Sequence, residues 1–118
     1  MNILIVDDDD SCINALANLL KFEYDFEIAY DGIDALDKFS KKNFDIVITD
    51  IKMPRMNGIE LIKRIKKTGK KTKIMVMTGY PDKENKIESE KMEVFAFLSK
   101  PINVEFLMES LSLISKKL

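Results

Sequence analysis

Four consecutive aspartates, Asp7 to Asp10, follow the first apolar run of the chain. Carboxylates this close repel one another, and one of them takes up a proton unless positive charge lies among them. Three more polar residues stand at or just beyond the ends of later apolar runs: Asp50, Thr78 and Lys100. The chemistry of these residues therefore depends on whether the fold brings them together, and on what neutralises the acidic side chains.

Five short apolar runs predict the strands that would position these residues. They are rich in Ile, Val and Met, and continuous apolar character is typical of strands covered on both faces. The runs are residues 3–6, 26–30 (the weakest), 46–49, 74–78 and 95–99. A parallel sheet with helices packed on both sides accounts for this pattern.

Apolar residues at helical spacing occur between and after these strands. Four amphipathic stripes predict helices, and they cover residues 13–20, 33–39, 59–65 and 104–114. Asp10 or Ser11 is expected to cap the first helix, and Gly69 to follow the third. A further helix is predicted near residues 83–92; it is mostly charged and should therefore dock weakly.

The alternation of predicted strands and helices indicates one α/β domain over residues 1–118, a doubly wound (βα)5 fold with a five-stranded parallel sheet. Ligands of such sheets gather beyond the carboxyl ends of the strands. The chain places Asp7, Asp8, Asp50, Thr78 and Lys100 at those ends. We therefore expect these five residues to converge on one rim of the sheet.

Composition narrows the classes of protein that fit. The net charge is −1, from 19 basic and 20 acidic residues, which gives no reason to expect binding to nucleic acid or to a membrane. A single cysteine, Cys12, excludes an internal disulfide framework, and we expect it to be a packing residue in a cytoplasmic protein. The basic residues between positions 63 and 73 lack interleaved aromatics and are expected to form a solvated helix face and loop.

Four phrases, ILIVDDD, VITDIKMPRMNGIEL, VMTGY and FLSKP, resemble in order and spacing the receiver domain of two-component response regulators. The resemblance covers nearly the whole chain and implies the CheY-like, flavodoxin-like fold. It matches Asp50 to the phosphoacceptor, Asp7 and Asp8 to the acidic pair, Thr78 to the hydroxyl position, and Lys100 to the lysine before a proline. By the same resemblance, the peptide bond after Lys100 is expected to be cis.

The resemblance also implies a Mg²⁺ (or Mn²⁺) site. Asp8 and Asp50 would bind the ion directly, Asp7 largely through water, and Lys52 through its backbone carbonyl. Carboxylate and carbonyl oxygens are suitable ligands for such hard cations. Asp9 and Asp10 receive no ligand role and are expected to cap the first helix and favour its N-terminus.

As a receiver, the chain would accept a phosphoryl group from the phosphohistidine of a histidine kinase or histidine phosphotransferase. Thr78 and Phe97 occupy the switch positions of the family, and the response would spread to the face formed by the predicted 83–92 helix, the last strand and the last helix. That face would bind a downstream protein or form a phosphorylation-dependent dimer; otherwise the chain would be a monomer.

Residues beside the phosphoacceptor predict a subclass. Lys52 and Tyr80 would crowd out an attacking water, whereas Gly79 would leave access for a partner protein. We therefore expect a long-lived phosphoryl group, similar to that of stand-alone receivers of sporulation-type phosphorelays, with no output domain and no catalysis on outside substrates.

Three alternatives remain open at this point. The string DDDDS also fits the start of haloacid-dehalogenase-type phosphatases, which would release phosphate continuously rather than take up one phosphoryl group. The chain could instead be an interaction domain that is independent of phosphorylation, although the intact site residues argue against that. It could also be the receiver part of a DNA-binding transcription regulator.

Overall fold

The computed structural model describes residues 1–79 and 91–118, so most of the predicted 83–92 helix lies outside the described residues. The strands are β1 (Asn2–Val6), β2 (Asp25–Ala29), β3 (Ile46–Asp50), β4 (Lys73–Thr78) and β5 (Ala96–Ser99). All pair in parallel, in the order β2-β1-β3-β4-β5. The predicted five-stranded parallel sheet is confirmed.

The described helices are α1 (Asp10–Leu20), α2 (Gly32–Lys41), α3 (Gly58–Lys67) and α4 (Val104–Lys116). They cover both faces of the sheet. Buried side chains such as Val6, Val47 and Val76 face α2 and α3 in one core layer. Side chains such as Ile5 and Ile48 face α1 and α4 in the other. Alternate residues of each strand thus enter opposite layers, as the doubly wound fold requires.

Helix ends correct the sequence reading in one place. Asp9, not Asp10 or Ser11, caps α1: its backbone is extended and its side chain accepts a hydrogen bond from the Ser11 N–H at 3.0 Å. Asp10 is already helical and lies in the first turn. The expected stop after α3 is confirmed, because Gly69 adopts the left-handed conformation (φ 73°) that favours glycine.

The strand order reverses direction between β1 and β3, which lie side by side at the centre of the sheet. In open α/β sheets this switch point opens a crevice at the carboxyl ends of the strands. Asp7 follows β1 there, and Asp50 ends β3. Among residues 1–79 and 91–118, no helix is long and apolar enough to cross a membrane.

Candidate functional site

The four aspartates after β1 occupy four different environments. Asp7 is fully buried, and its Oδ1 accepts a hydrogen bond from the Asp9 N–H at 3.0 Å. Asp8 is exposed at the rim. Asp9 caps α1, and Asp10 lies where the positive end of the helix dipole favours a negative charge. Asp9 and Asp10 thus have the helix roles expected of the pair, although Asp9 rather than Asp10 is the cap.

Asp50 is held by the segment that follows it. Its Oδ1 accepts a hydrogen bond from the Ile51 N–H at 2.7 Å, and the Gly58 N–H donates to the Ile51 carbonyl, also at 2.7 Å. The start of α3 packs so closely that a Cβ at Gly58 would overlap the Asp50 carbonyl oxygen. Sequence reasoning missed that Gly58 positions Asp50.

Lys100 joins the two buried carboxylates. Its Nζ donates hydrogen bonds to Asp7 Oδ2 at 2.8 Å and to Asp50 Oδ2 at 3.0 Å. Its backbone N–H donates to the Thr78 carbonyl at 3.0 Å, which ties the end of β5 to the end of β4. The Lys100–Pro101 bond is cis, as the resemblance implies.

The three charged groups perturb one another. Burial raises the pKa of Asp50, and the negative charge of Asp7 raises it further, while the hydrogen bond from Lys100 opposes both. Burial alone would lower the pKa of Lys100, but its hydrogen bonds to Asp7 and Asp50 outweigh burial and hold that pKa above its ordinary value. One ammonium thus faces two carboxylates.

The acidic side chains form a group that suits a divalent cation. Asp7, Asp8 and Asp50 each offer a carboxylate oxygen, and these oxygens lie within 4.8 Å of one another. With Lys100 as the ammonium among them, the cluster keeps an excess of negative charge that a hard cation would offset. Oxygen ligands of this type fit Mg²⁺ or Mn²⁺. The part assigned to the Lys52 carbonyl stays a prediction.

A cleft of about 260 Å³ opens beside this cluster. It is lined by Asp9, Asp50, Lys52, Thr78, Gly79 and Lys100. Thr78 is half-buried at the end of β4, and Lys52 and Gly79 are exposed. Tyr80, the other residue expected to control access, lies outside the described residues. The cleft is large enough to admit a small anion to Asp50, and the roles of its lining residues in controlling access stay predictions.

Phe97 lies in the middle of β5 and is half-buried against the core layer that contains Val76. Met92 and Val94 pack on the same layer. These contacts are those of an ordinary core aromatic at the edge of the sheet. Its switch role, and the response of the predicted 83–92 helix, stay predictions.

Cys12 lies in α1 and packs against the core layer formed with α4. Burial and a hydrogen bond to Asp7 raise the pKa of its thiol to about 12. No basic residue lies near Cys12 in the sequence, yet the fold brings Lys100 near enough to oppose that rise, without cancelling it. The thiol stays protonated at neutral pH, which agrees with a packing residue rather than a redox sensor.

An ion pair missed by sequence reasoning lies beside the site. Arg55 donates to Asp31 Oδ2 through Nε at 3.0 Å and also through its second guanidinium nitrogen. Asp31 also caps α2 by accepting from the Asp34 N–H at 2.8 Å. Asp31 therefore has a local role at the start of α2. Nothing local in the sequence pairs it with a loop residue 24 positions away.

The family comparison matches residues 3–112 to the response regulator receiver domain. The transcriptional regulatory protein ZraR of Salmonella typhimurium is 37% identical over 94% of this chain, which is 25% of that protein. The response regulator MprA of Mycobacterium avium is 32% identical over 92% of this chain, which is 48% of that protein. The chain therefore spans a quarter to about half of the length of these curated relatives.

Solved structures agree with this match. The N-terminal domain of an uncharacterized protein from Wolinella succinogenes superposes with a TM-score of 0.94 at 32% identity, covering 98% of this chain and 94% of that one. The chemotaxis protein CheY4 of Vibrio cholerae superposes with a TM-score of 0.86 at 33% identity, covering 96% and 97%. Both likenesses extend over the whole sheet and its helices.

Proposed function

The chain belongs to the response regulator receiver domain family, and from this premise we propose that it accepts a phosphoryl group on Asp50. The observation that carries the proposal is the placement of Asp50 between Lys100 and the acidic pair, at the mouth of an open cleft. The donor would be the phosphohistidine of a histidine kinase or histidine phosphotransferase.

The proposed reaction is a direct transfer. A carboxylate oxygen of Asp50 attacks phosphorus, a P–O bond forms as the P–N bond breaks, and the imidazole leaves with the electron pair. Lys100 Nζ donates to Asp50 Oδ2 and the Ile51 N–H donates to Asp50 Oδ1, so both oxygens of the nucleophile are held in place. The Lys100 hydrogen bond also favours the ionised form that attacks, against the burial that raises the pKa of Asp50. No histidine of this chain is needed, and the chain contains none.

Other groups at the rim are suited to neutralise the negative charge of the transferred phosphoryl group. Lys100 Nζ lies 3.0 Å from Asp50 Oδ2 and can follow a phosphoryl oxygen bound there. The Thr78 hydroxyl lines the same cleft and is suited to donate to another. When bound by Asp7, Asp8 and Asp50, Mg²⁺ would neutralise phosphoryl oxygens and carboxylates together.

The same chemistry predicts that the chain is not a phosphatase. A receiver is modified once and catalyses only its own phosphorylation and dephosphorylation, whereas a haloacid-dehalogenase-type enzyme turns over. The family match and the receiver-domain structures support the first function. The expected result is stoichiometric labelling of the chain by a small phosphoryl donor, with no steady release of phosphate from a generic phosphate ester.

For the partner that the phosphorylated chain would bind, we propose only a class of surface and of occupant. The face around β5 and α4 is suited to a downstream protein or a second copy. The relatives ZraR and MprA are described as a transcriptional regulatory protein and a response regulator, so a DNA-binding role could belong to a longer protein. Within the described residues the basic 63–73 cluster is exposed, and we propose no nucleic-acid role for it.

Intact-mass measurement after treatment with acetyl phosphate and Mg²⁺ tests the proposal. The wild-type chain should gain one phosphoryl group, and Asp50→Asn should gain none. Asp37→Asn, which alters an exposed aspartate of α2, is the matched control and should label like the wild type. Labelling of Asp50→Asn at the wild-type level, or undiminished labelling in excess chelator, would refute the assignment.

A second measurement addresses the proposed lifetime. The decay of the labelled wild-type chain is compared with that of Lys52→Asn, because Lys52 lies at the cleft mouth. Slow decay that becomes faster in Lys52→Asn supports a phosphorelay carrier. Decay within seconds that the substitution leaves unchanged contradicts it.

A further inference from the structure

Residues 51–57 connect Asp50 to α3 and carry Lys52, whose carbonyl is assigned to the proposed cation site. The first end of this segment is fixed: the Ile51 N–H donates to Asp50 Oδ1 at 2.7 Å, and the Ile51 carbonyl accepts from the Gly58 N–H. Within the segment, the Met56 N–H donates to the Pro54 carbonyl at 2.7 Å and Met53 packs on the core layer that contains Val76.

The second point of attachment is the start of α2. Arg55 donates through two guanidinium nitrogens to Asp31, whose side chain is 12% exposed, and Asp31 is itself fixed as the cap of α2. Met56 packs beside Gly32 so closely that a Cβ there would lie 2.8 Å from the Met56 side chain. The segment is thus anchored to a second element of the fold.

Arg55 makes this attachment in an unfavourable backbone conformation. Its φ is 67°, in the left-handed region that glycine adopts readily and most other residues avoid. The side chain is 58% exposed, so apolar burial is limited to part of its stem. Among the described contacts, the two-nitrogen interaction with Asp31 is what an arginine adds at this position.

We propose that Arg55 is a positioning residue for the cation site. Its interaction with Asp31 holds residues 51–57 so that the Lys52 carbonyl and the Asp50 side chain face the cation together. This inference rests on the proposed function, because it assumes that the acidic cluster binds Mg²⁺. It adds that a residue outside the cluster, touching none of the three carboxylates in it, sets the affinity for the metal.

For Arg55→Gly, the loss of charge and the loss of positioning are expected to change the affinity for Mg²⁺ in opposite directions. Removing the positive charge of Arg55 makes the rim more negative, which by itself strengthens the binding of a divalent cation. Releasing the segment weakens binding, because a ligand carbonyl must then be ordered when the metal binds. Arg55→Gly removes the ion pair and also removes the strain at φ 67°, so its effect on unfolding should be small.

Mg²⁺ titration followed by backbone amide chemical shifts tests the proposal. Arg55→Gly should bind Mg²⁺ roughly ten-fold more weakly than the wild type, with a nearly unchanged midpoint of denaturant unfolding. Arg64→Ala is the matched control: it removes the same charge and an exposed ion pair, with Glu60, from α3. Its affinity should equal or slightly exceed that of the wild type.

A measurement without metal tests the positioning role of Arg55 independently of Mg²⁺ binding. Without Mg²⁺, the Gly58 amide should exchange its hydrogen faster in Arg55→Gly, while the Ile48 amide in β3 is unchanged. Equal or tighter Mg²⁺ binding by Arg55→Gly overturns the inference, as does an unchanged Gly58 exchange rate. A wild-type chain that shows no Mg²⁺ response overturns the proposed metal site and this inference with it. Failure of Asp50 to take up a phosphoryl group, with the Mg²⁺ results as expected, refutes the proposed function alone.

Discussion

Two clusters, each containing both acidic and basic side chains, lie on the same rim of the sheet. They differ in the ratio of negative to positive charge. In one, Lys100 faces the carboxylates of Asp7 and Asp50, both almost completely buried. In the other, Arg55 faces Asp31, and the guanidinium reaches solvent. The first group has more negative than positive charge in a buried place, whereas the second is balanced and partly hydrated.

The pKa shifts of Asp50 and Asp31 reflect this difference in charge balance. Burial and Asp7 raise the pKa of Asp50, so its ionised form is disfavoured in the folded chain. The backbone N–H of Asp34 and the guanidinium of Arg55 lower the pKa of Asp31 against the opposing effect of burial, so its ionised form is favoured. Unbalanced charge thus marks where a cation and a phosphoryl group are expected, and balanced charge marks a structural support beside it.

The largest effect is expected from Lys100→Met, which breaks the first group by removing its ammonium. It leaves Asp7 and Asp50 buried without a positive partner, and should lower the free energy of unfolding at neutral pH by about 3 kcal/mol. Denaturant unfolding without metal measures this, and Mg²⁺ should restore part of the loss. Lys42→Met, which breaks the exposed pair with Glu27, should cost about 0.5 kcal/mol or less. Equal costs for the two variants would remove the distinction between the groups.

A smaller effect of opposite sign is expected from Asp50→Asn. A carboxylate whose folded pKa is raised stabilises the fold only at low pH, and that contribution is lost as the pH rises through the folded pKa. At pH 7 the Asp50 charge therefore opposes folding, and Asp50→Asn should raise the free energy of unfolding without metal, by on the order of 1 kcal/mol. Thermal unfolding of both chains measures the change. A destabilised Asp50→Asn would mean that Lys100 compensates both carboxylates fully.

The smallest effect is expected from Asp31→Asn, which tests the balanced pair. Asparagine can still cap α2, so the change isolates the charge. Because the folded pKa of Asp31 lies below its unfolded value, its stabilisation is present above about pH 4 and is lost as the pH falls through the folded pKa. The cost at pH 7 should be about 0.5–1 kcal/mol, reduced by solvent around the guanidinium. Unfolding curves at several pH values measure it, and a cost that persists at the acid end would contradict the assignment.

Local sequence signals were sufficient for most of the fold. Continuous apolar runs predicted β1 and β3 to within one residue, because strands covered on both faces carry no polar face to obscure them. The weak run at 26–30 was displaced by one residue from β2, which begins at the exposed Asp25. The structure brings Asp7, Asp50 and Lys100 together as expected, since parallel strands end on one rim.

Contacts between loops could not be predicted in the same way. Arg55 and Asp31 each have a sufficient local explanation, as a loop residue and as a helix cap. Gly58 likewise is the first residue of α3, and nothing local in the sequence indicates that its Cα lies against the Asp50 backbone. Such contacts depend on the distance between elements, which is set by packing of the whole domain and leaves no periodic trace in one sequence.

The hydrogen bond from Lys100 to Asp7 joins residues 93 positions apart, nearly the whole chain. During synthesis, β1 and β3 are complete long before β5 leaves the ribosome, so the two carboxylates exist for a time without their ammonium. A nascent or truncated chain that ends before Lys100 cannot assemble the cluster. On the proposed mechanism, incomplete copies would therefore be poor phosphoryl acceptors.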